Sequence, residues 1–242
     1  MSAPSKAASP YFTGCDTRGR NMKTMITAHS GSDGTPDNSM EFVEYALGCG
    51  AEALEVDVRV RADGSFFLSH DDSSDACPDL RQVFSLLRHS SKKINCDLKS
   101  AGMELGVLAL AKQYGMEDRL LLSGEVDPRL VKENEGIRAR TLFNLDPFAG
   151  DMLMRFHRSQ EPTEEDLQSI AEQCAEFGVR TINIPYGLCT DRFLRFFRDR
   201  GIGISAWTVG DEDVARRLFS AGIANVTTRK PALLCAVRAA LE

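Results

Sequence analysis

A single-domain (β/α)8 barrel, the TIM-barrel class of α/β fold, is what the sequence predicts, and three observations predict it. From Lys23 onward, short apolar runs of strand length alternate with longer runs of helical period. That strand–helix unit recurs about eight times, the alternation that builds a parallel sheet covered by helices on its outer face. No G-x-G-x-x-G follows the first strand, as a dinucleotide-binding open sheet would require. A chain of 242 residues with 43% hydrophobic content supplies one large core, and closed barrels of roughly 200–250 residues fold as one unit.

The elements follow in order. MITAHS (25–30) reads as the first strand, and a helix opens near Asn38 and ends at Gly50. ALEVDVRV (53–60) and SFFLSH (65–70) are strands joined by the tight-turn signal ADG. The helix LRQVFSLLRHS precedes the strand KINCDLK (93–99), and the helix MELGVLALAKQYG precedes the strand RLLLSGE (119–125). DPRLVKENEG reads as a helix and IRARTLFN (137–144) as the fifth barrel strand. A loop holding Pro147 and Gly150 leads to the helix TEEDLQSIAEQCAEFG. The strands TINIPY, GISAWTV and ANVTT then alternate with DRFLRFFRDRG, DEDVARRLFSAG and a closing helix through LLCAVRAAL.

Residues 1–22 are small and polar with no apolar segment, and read as a flexible tail rather than a secretory signal, ahead of a barrel domain over 23–242. No run approaches the roughly 18 apolar residues of a membrane span. A net charge of −6 lacks the basic stripe of a nucleic-acid-binding surface. The seven cysteines form no C-x-x-C pair; Cys49, Cys96, Cys174 and Cys235 sit in apolar patterns and read as reduced core thiols of a cytoplasmic protein.

In a barrel of this class, chemistry sits at the C-terminal ends of the strands. Glu55 and Asp57 stand two apart on one strand and share a face, while Leu54, Val56 and Val58 face the helices. Asp97 and Lys99 repeat the pattern, His29 ends the first strand, and His70 ends SFFLSH. Buried charges of one sign are costly unless paired or bound to a metal. An all-oxygen set suits a hard divalent cation, Mg²⁺ or Ca²⁺. Such a cation flanked by imidazoles suits a phosphodiester, whose hydrolysis needs charge neutralisation and proton exchange. Plainer readings exist for each part: a solvated E-x-D face, structural histidines, and an Asp97–Lys99 ion pair. The joint pattern at four strand ends favours the site.

The ordered set resembles the glycerophosphodiester phosphodiesterases, a branch of the barrel phosphodiesterases that includes phosphatidylinositol-phospholipase C-like and sphingomyelinase D-like enzymes. His29-Ser30-Gly31 and Pro36-Asp37-Asn38-Ser39 are similar to that family's His-Arg-Gly and Pro-Glu-Asn-Thr. Glu55-x-Asp57, His70-Asp71, Asp97-x-Lys99, Ala206-Trp207-Thr208-Val209 and Thr228-Arg229-Lys230-Pro231 follow in the family's order, with Asp97 in place of the usual Glu. The resemblance spans about residues 25 to 235. It implies a metal held by Glu55, Asp57 and Asp97, and an acid/base pair of His29 and His70. It implies that Lys99 steadies phosphoryl charge and that Trp207 lines the pocket, although a ring filling the barrel mouth is an equal reading. Asn38 reads first as a helix N-cap, and the family adds a ligand or orienting role. Ser123, Glu125, Asn144 and Asn183 lie at strand ends within reach of the pocket.

Two departures bear on substrate binding. Ser30 stands where the family has arginine, exchanging a bidentate phosphate fork for one hydroxyl. The segment between His70 and Asp97 has room for one loop and one helix, where many family members carry an inserted subdomain, so a more open site is expected. Arg229 or Lys230 is the candidate replacement cation, since barrels often bind phosphate after the last two strands. The expected activity is metal-dependent hydrolysis of a small glycerophosphodiester to glycerol 3-phosphate and an alcohol. The alternatives are a phosphodiesterase for another head group, including phospholipase D-like transfer, and a non-catalytic barrel that binds a phosphorylated metabolite.

Overall fold

In the computed structural model, which describes residues 23–71, 77–158 and 160–242, the first strand sets the plan of the molecule. The tail expected over 1–22 lies outside the described residues. In β1 (Met25–Ala28), Ile26 and Ala28 join the main core, while Met25 and Thr27 point into the barrel. The other parallel strands are β2 (Ala53–Val60), β4 (Lys93–Leu98), β5 (Leu120–Gly124), β6 (Phe143–Asn144), β7 (Thr181–Pro185), β8 (Gly203–Trp207) and β9 (Asn225–Thr228). Short β3 (Phe66–Leu68) pairs antiparallel to β2 outside this ring. The order is β5-β4-β2-β1-β9-β8-β7-β6. A parallel bridge between Leu122 and Thr141 joins β5 to the residues ahead of β6, with Leu142 N donating to Leu122 O at 2.8 Å, and brings the ring nearly to closure.

Side-chain alternation divides the inside into two layers. Met25, Ala53, Leu121 and Leu142 form a small apolar plug at the N-terminal end. One step along each strand the interior turns polar. Thr27 donates to Asn225, Asn225 to Ser205, Ser205 to Asn183 and Asn183 to Asn144, at 2.7 to 3.0 Å. The larger apolar core lies between strands and helices.

The helices are α1 (Met40–Gly48), α2 (Leu80–Leu87), α3 (Glu104–Gln113), α4 (Pro128–Glu133), α5 (Glu135–Arg138), α6 (Asp146–His157), α7 (Glu164–Phe177), α8 (Asp191–Arg198), α9 (Glu212–Ala221) and α10 (Pro231–Ala239). Local chemistry sets their starts. Ser39, Asp127, Thr190 and Asp211 cap first-turn amides, and Asp79–Gln82 and Thr163–Asp166 form reciprocal capping boxes. At the base, Arg238 of α10 donates to Thr24 O at 2.6 Å and to Glu52 at 2.6 Å, tying the last helix to the first strands.

Two expected elements differ. Only Phe143–Asn144 of the strand expected over 137–144 is laddered, because Asn134 caps α5 and draws Gly136 to Arg138 into it. The loop expected around Pro147 and Gly150 is instead α6. Pro147 falls in its first turn, where a missing N–H breaks no helical bond, and a kink at Ala149 (φ −145°) accommodates the sequence.

Candidate active site

At the C-terminal ends of the strands a cavity of about 420 Å³ opens, lined by His29, Asp37, Glu55, Asp57, His70, Asn95, Asp97, Lys99, Ser123, Asn144, Asn183, Trp207, Thr208, Thr227 and Arg229. One oxygen from each of Glu55, Asp57 and Asp97 lies within 4.8 Å of the others. The register Asp57↔Asp97 on neighbouring parallel strands brings these carboxylates side by side.

Their electrostatics differ. Burial, then the charges of Asp57 and Asp97, push the Glu55 carboxyl well above the usual range. Burial would also raise Asp57, but Lys99 and the Asn38 amide hold it below its ordinary value. The Lys99 ammonium lies 2.6 Å from both Asp57 and Asp97, so the expected ion pair exists within the cluster itself. Ser123 Oγ donates to Asp97 at 2.7 Å and takes a hydrogen bond from Asn95 at 2.9 Å. Asn95 lines the same cavity, and among the described residues its buried Oδ1 has no hydrogen-bond partner. Three converging carboxylates, one of them strained toward protonation, and an unsatisfied amide oxygen fit a hard divalent cation.

Both histidines line this cavity. His29 Nδ1 lies 2.7 Å from Ser30 O and 3.8 Å from Glu55. A carbonyl only accepts, so Nδ1 carries the proton and the neutral ring leaves Nε2 unprotonated. Burial lowers the His29 pKa, which favours that neutral form. His70 is far more exposed, its Nδ1 3.2 Å from Asp71, and its carbonyl accepts from the Arg59 guanidinium at 2.7 Å.

Asn38 stands one layer behind the cavity wall. It adopts φ +50° and exchanges two hydrogen bonds with Asp57, donating to Oδ2 at 2.7 Å and accepting from the backbone N–H at 2.9 Å. The N-cap of α1 is Ser39, so Asn38 fixes a carboxylate instead of capping the helix or facing the cavity.

Ser30 is a structural part. It is 1% exposed, its hydroxyl accepts from Asn38 N at 2.5 Å, and its own N–H donates to Glu55 at 3.2 Å. A guanidinium faces the cavity from the opposite side of the first strand. Arg229 pairs with Asp37 at 2.9 Å beside His29, and its backbone O accepts from Asp33 N at 2.8 Å. Lys230 instead reaches Gly210 O at 3.1 Å. Gly31 leaves room for this pair: at φ +75°, a Cβ there would lie 2.2 Å from Asp37 and 2.6 Å from Arg229. Sequence reasoning did not single out Asn95 or Asp37 as site residues; Asn95 shares the inward face of Asp97, which was the available signal.

The fold and site together define a parallel α/β-barrel protein with an acidic cluster and two imidazoles at its strand ends. The glycerophosphoryl diester phosphodiesterase family model matches residues 29–117. A glycerophosphodiester phosphodiesterase of Caldanaerobacter subterraneus subsp. tengcongensis is 22% identical over 88% of this chain and 97% of its own. Among solved structures, a protein of Agrobacterium tumefaciens provisionally named a glycerophosphoryl diester phosphodiesterase superposes with a TM-score of 0.76 at 15% identity, over 91% of this chain and 99% of its own. An Oleispira antarctica phosphodiesterase, solved with the product sn-glycerol-3-phosphate, gives 0.64 at 17% identity over 89% and 96%. The chain is thus similar to glycerophosphoryl diester phosphodiesterases over residues 29–117 and shares the barrel fold of these solved structures.

Proposed function

We propose that this protein hydrolyses small glycerophosphodiesters to glycerol 3-phosphate and an alcohol, using His29 and His70 as its proton-transfer pair. The observation that carries the reading is that both imidazoles line the one cavity into which Glu55, Asp57 and Asp97 converge. Those three carboxylates would hold Mg²⁺ or Ca²⁺, which when bound neutralises charge on the phosphoryl oxygens.

His29, neutral with Nε2 unprotonated, takes the proton from the attacking hydroxyl: that of water gives glycerol 3-phosphate directly, and that of the substrate's own glycerol gives a cyclic phosphate that water then opens in a second step. As the new P–O bond forms, the bond to the alcohol breaks and its electron pair departs with the alkoxide. His70, exposed at the cavity mouth, supplies the proton that completes the alcohol. Arg229 offers the fork to phosphate that Ser30 does not, held ready by Asp37. Lys99 steadies developing phosphoryl charge between Asp57 and Asp97, and Trp207, 37% exposed, lies against the organic part. Among the described residues no helix is long and apolar enough to cross a membrane. We assign the protein to the cytoplasm on its six described cysteines, all free thiols.

The test is turnover of bis(p-nitrophenyl) phosphate with added Mg²⁺ or Ca²⁺. The reading expects activity that EDTA abolishes and either cation restores. No turnover with any divalent cation would sink it.

A further inference from the structure

The loop between β1 and α1 opens on His29 and closes on Ser39, the N-cap of α1. Its shape is held by bonds that leave Ser30 out. Ser32 Oγ donates to His29 O at 2.6 Å, Thr35 Oγ1 to Ser32 O at 2.8 Å, and Asp33 N to Arg229 O at 2.8 Å. Each polar group of Ser30 meets a residue of the site instead. Its carbonyl faces His29 Nδ1 at 2.7 Å, its N–H donates to Glu55 Oε2 at 3.2 Å, and its hydroxyl accepts from Asn38 N at 2.5 Å. Carbonyl and N–H belong to the backbone, so only the bond to Asn38 depends on the side chain.

That bond supports a strained residue. Asn38 is buried and adopts φ +50°, a left-handed conformation that side chains disfavour. Such a backbone persists where its surroundings over-determine it, and here the bond from Ser30 and the two to Asp57 do so. Asp57 in turn is set from both sides, Oδ2 by Asn38 Nδ2 at 2.7 Å and Oδ1 by the Lys99 ammonium at 2.6 Å. Without the hydroxyl, the Asn38 N–H is a buried donor with no acceptor, a costly arrangement that a turn of the Asn38 backbone relieves. The side-chain amide moves with that backbone, and Asp57 is left to Lys99. We propose that Ser30 is a positioning residue for cation binding: its hydroxyl fixes Asn38, and through Asn38 it aims Asp57 into the carboxylate cluster. The inference rests on the reading of Asp57 as a cation ligand.

Calorimetric titration of the full-length protein with Mg²⁺ and with Ca²⁺ tests it. Wild type is compared with Asn38→Gly, and with Ser30→Ala and Ser30→Cys, each alone and combined with Asn38→Gly. Cysteine fills the same space with a poor acceptor, so it reads the bond if the alanine variant does not fold. Glycine tolerates the left-handed backbone at position 38 and removes only the amide. Groups that orient a metal ligand typically carry about ten- to a hundredfold of metal affinity. Cation Kd is expected to rise about tenfold in Ser30→Ala and Ser30→Cys, and at least as much in Asn38→Gly. In the Asn38→Gly background, removing the hydroxyl is expected to add nothing further. A merely structural serine gives the same increment in both backgrounds, or lowers stability to urea with Kd unmoved; either result overturns the inference. A wild type that binds neither cation overturns it together with the metal reading of the site. The expected pattern of cation binding with no turnover of any phosphodiester upholds the inference and overturns the phosphodiesterase reading.

Discussion

At Glu55 burial and two neighbouring carboxylates act in one direction, holding its carboxyl well above the ordinary range. A divalent cation must therefore displace a proton there, so metal affinity rises with pH. Calorimetry in two buffers of different ionisation heat should show about one proton released per cation bound, and none in Glu55→Gln. For the metal-free protein the sign is opposite: a raised folded value means that Glu55's contribution to stability is lost as pH rises through it. Arg229 is the other decisive residue. Losing its fork should raise KM for a glycerophosphodiester about tenfold or more in Arg229→Ala, with a smaller rise in Arg229→Lys, because a lysine keeps charge but not the planar fork. An unchanged KM in steady-state assays would remove Arg229 from phosphate binding. The sequence made Glu55, Asp57, Asp97 and Lys99 legible because a two-residue strand period is local information. The Arg229–Asp37 pair joins opposite ends of the chain, and only barrel closure brings them together. Asn38 was legible as important but not for its reason, since its bond to Asp57 is tertiary.

The strands carry a second constraint in the polar ladder that crosses the barrel interior. Asn225 is fully buried, accepts from Thr27, and donates to Ser205 and Thr227. Asn225→Ala strands these hydroxyls without solvent and should cost about 2–3 kcal/mol in urea unfolding; a loss below about 0.5 kcal/mol would mean the ladder is incidental. Among the elements, β2 was read to the residue because its ends are marked by Ala53 and the ADG turn. β6 and α6 were not. There the cues conflict: Arg140 is buried, donating to Gly136 O at 2.6 Å and Glu117 O at 2.9 Å, while Pro147 and Gly150 sit inside a helix whose kink the local pattern does not announce. Helix capping by Asn134 and packing of α6 on the barrel outweigh propensity in that stretch.

For the whole molecule, the alternation of elements was enough to specify the barrel, and the barrel places every proposed catalytic group at one end. A cation bound there would stabilise the fold by mass action. At about 100 times its Kd the gain is roughly 2.7 kcal/mol, or about 5–10 °C in Tm for a domain this size. Thermal melts should show that rise with Mg²⁺ or Ca²⁺ and lose it in Glu55→Gln. The central claim is that His29 and His70 transfer protons at the carboxylate-lined cavity. It is tested most directly by glycerol 3-phosphate release from a glycerophosphodiester in the presence of the divalent cation, comparing wild type with His29→Ala and His70→Ala. The account predicts release by the wild type and a loss of at least about a hundredfold in kcat for each variant. Undiminished release by both variants would contradict it.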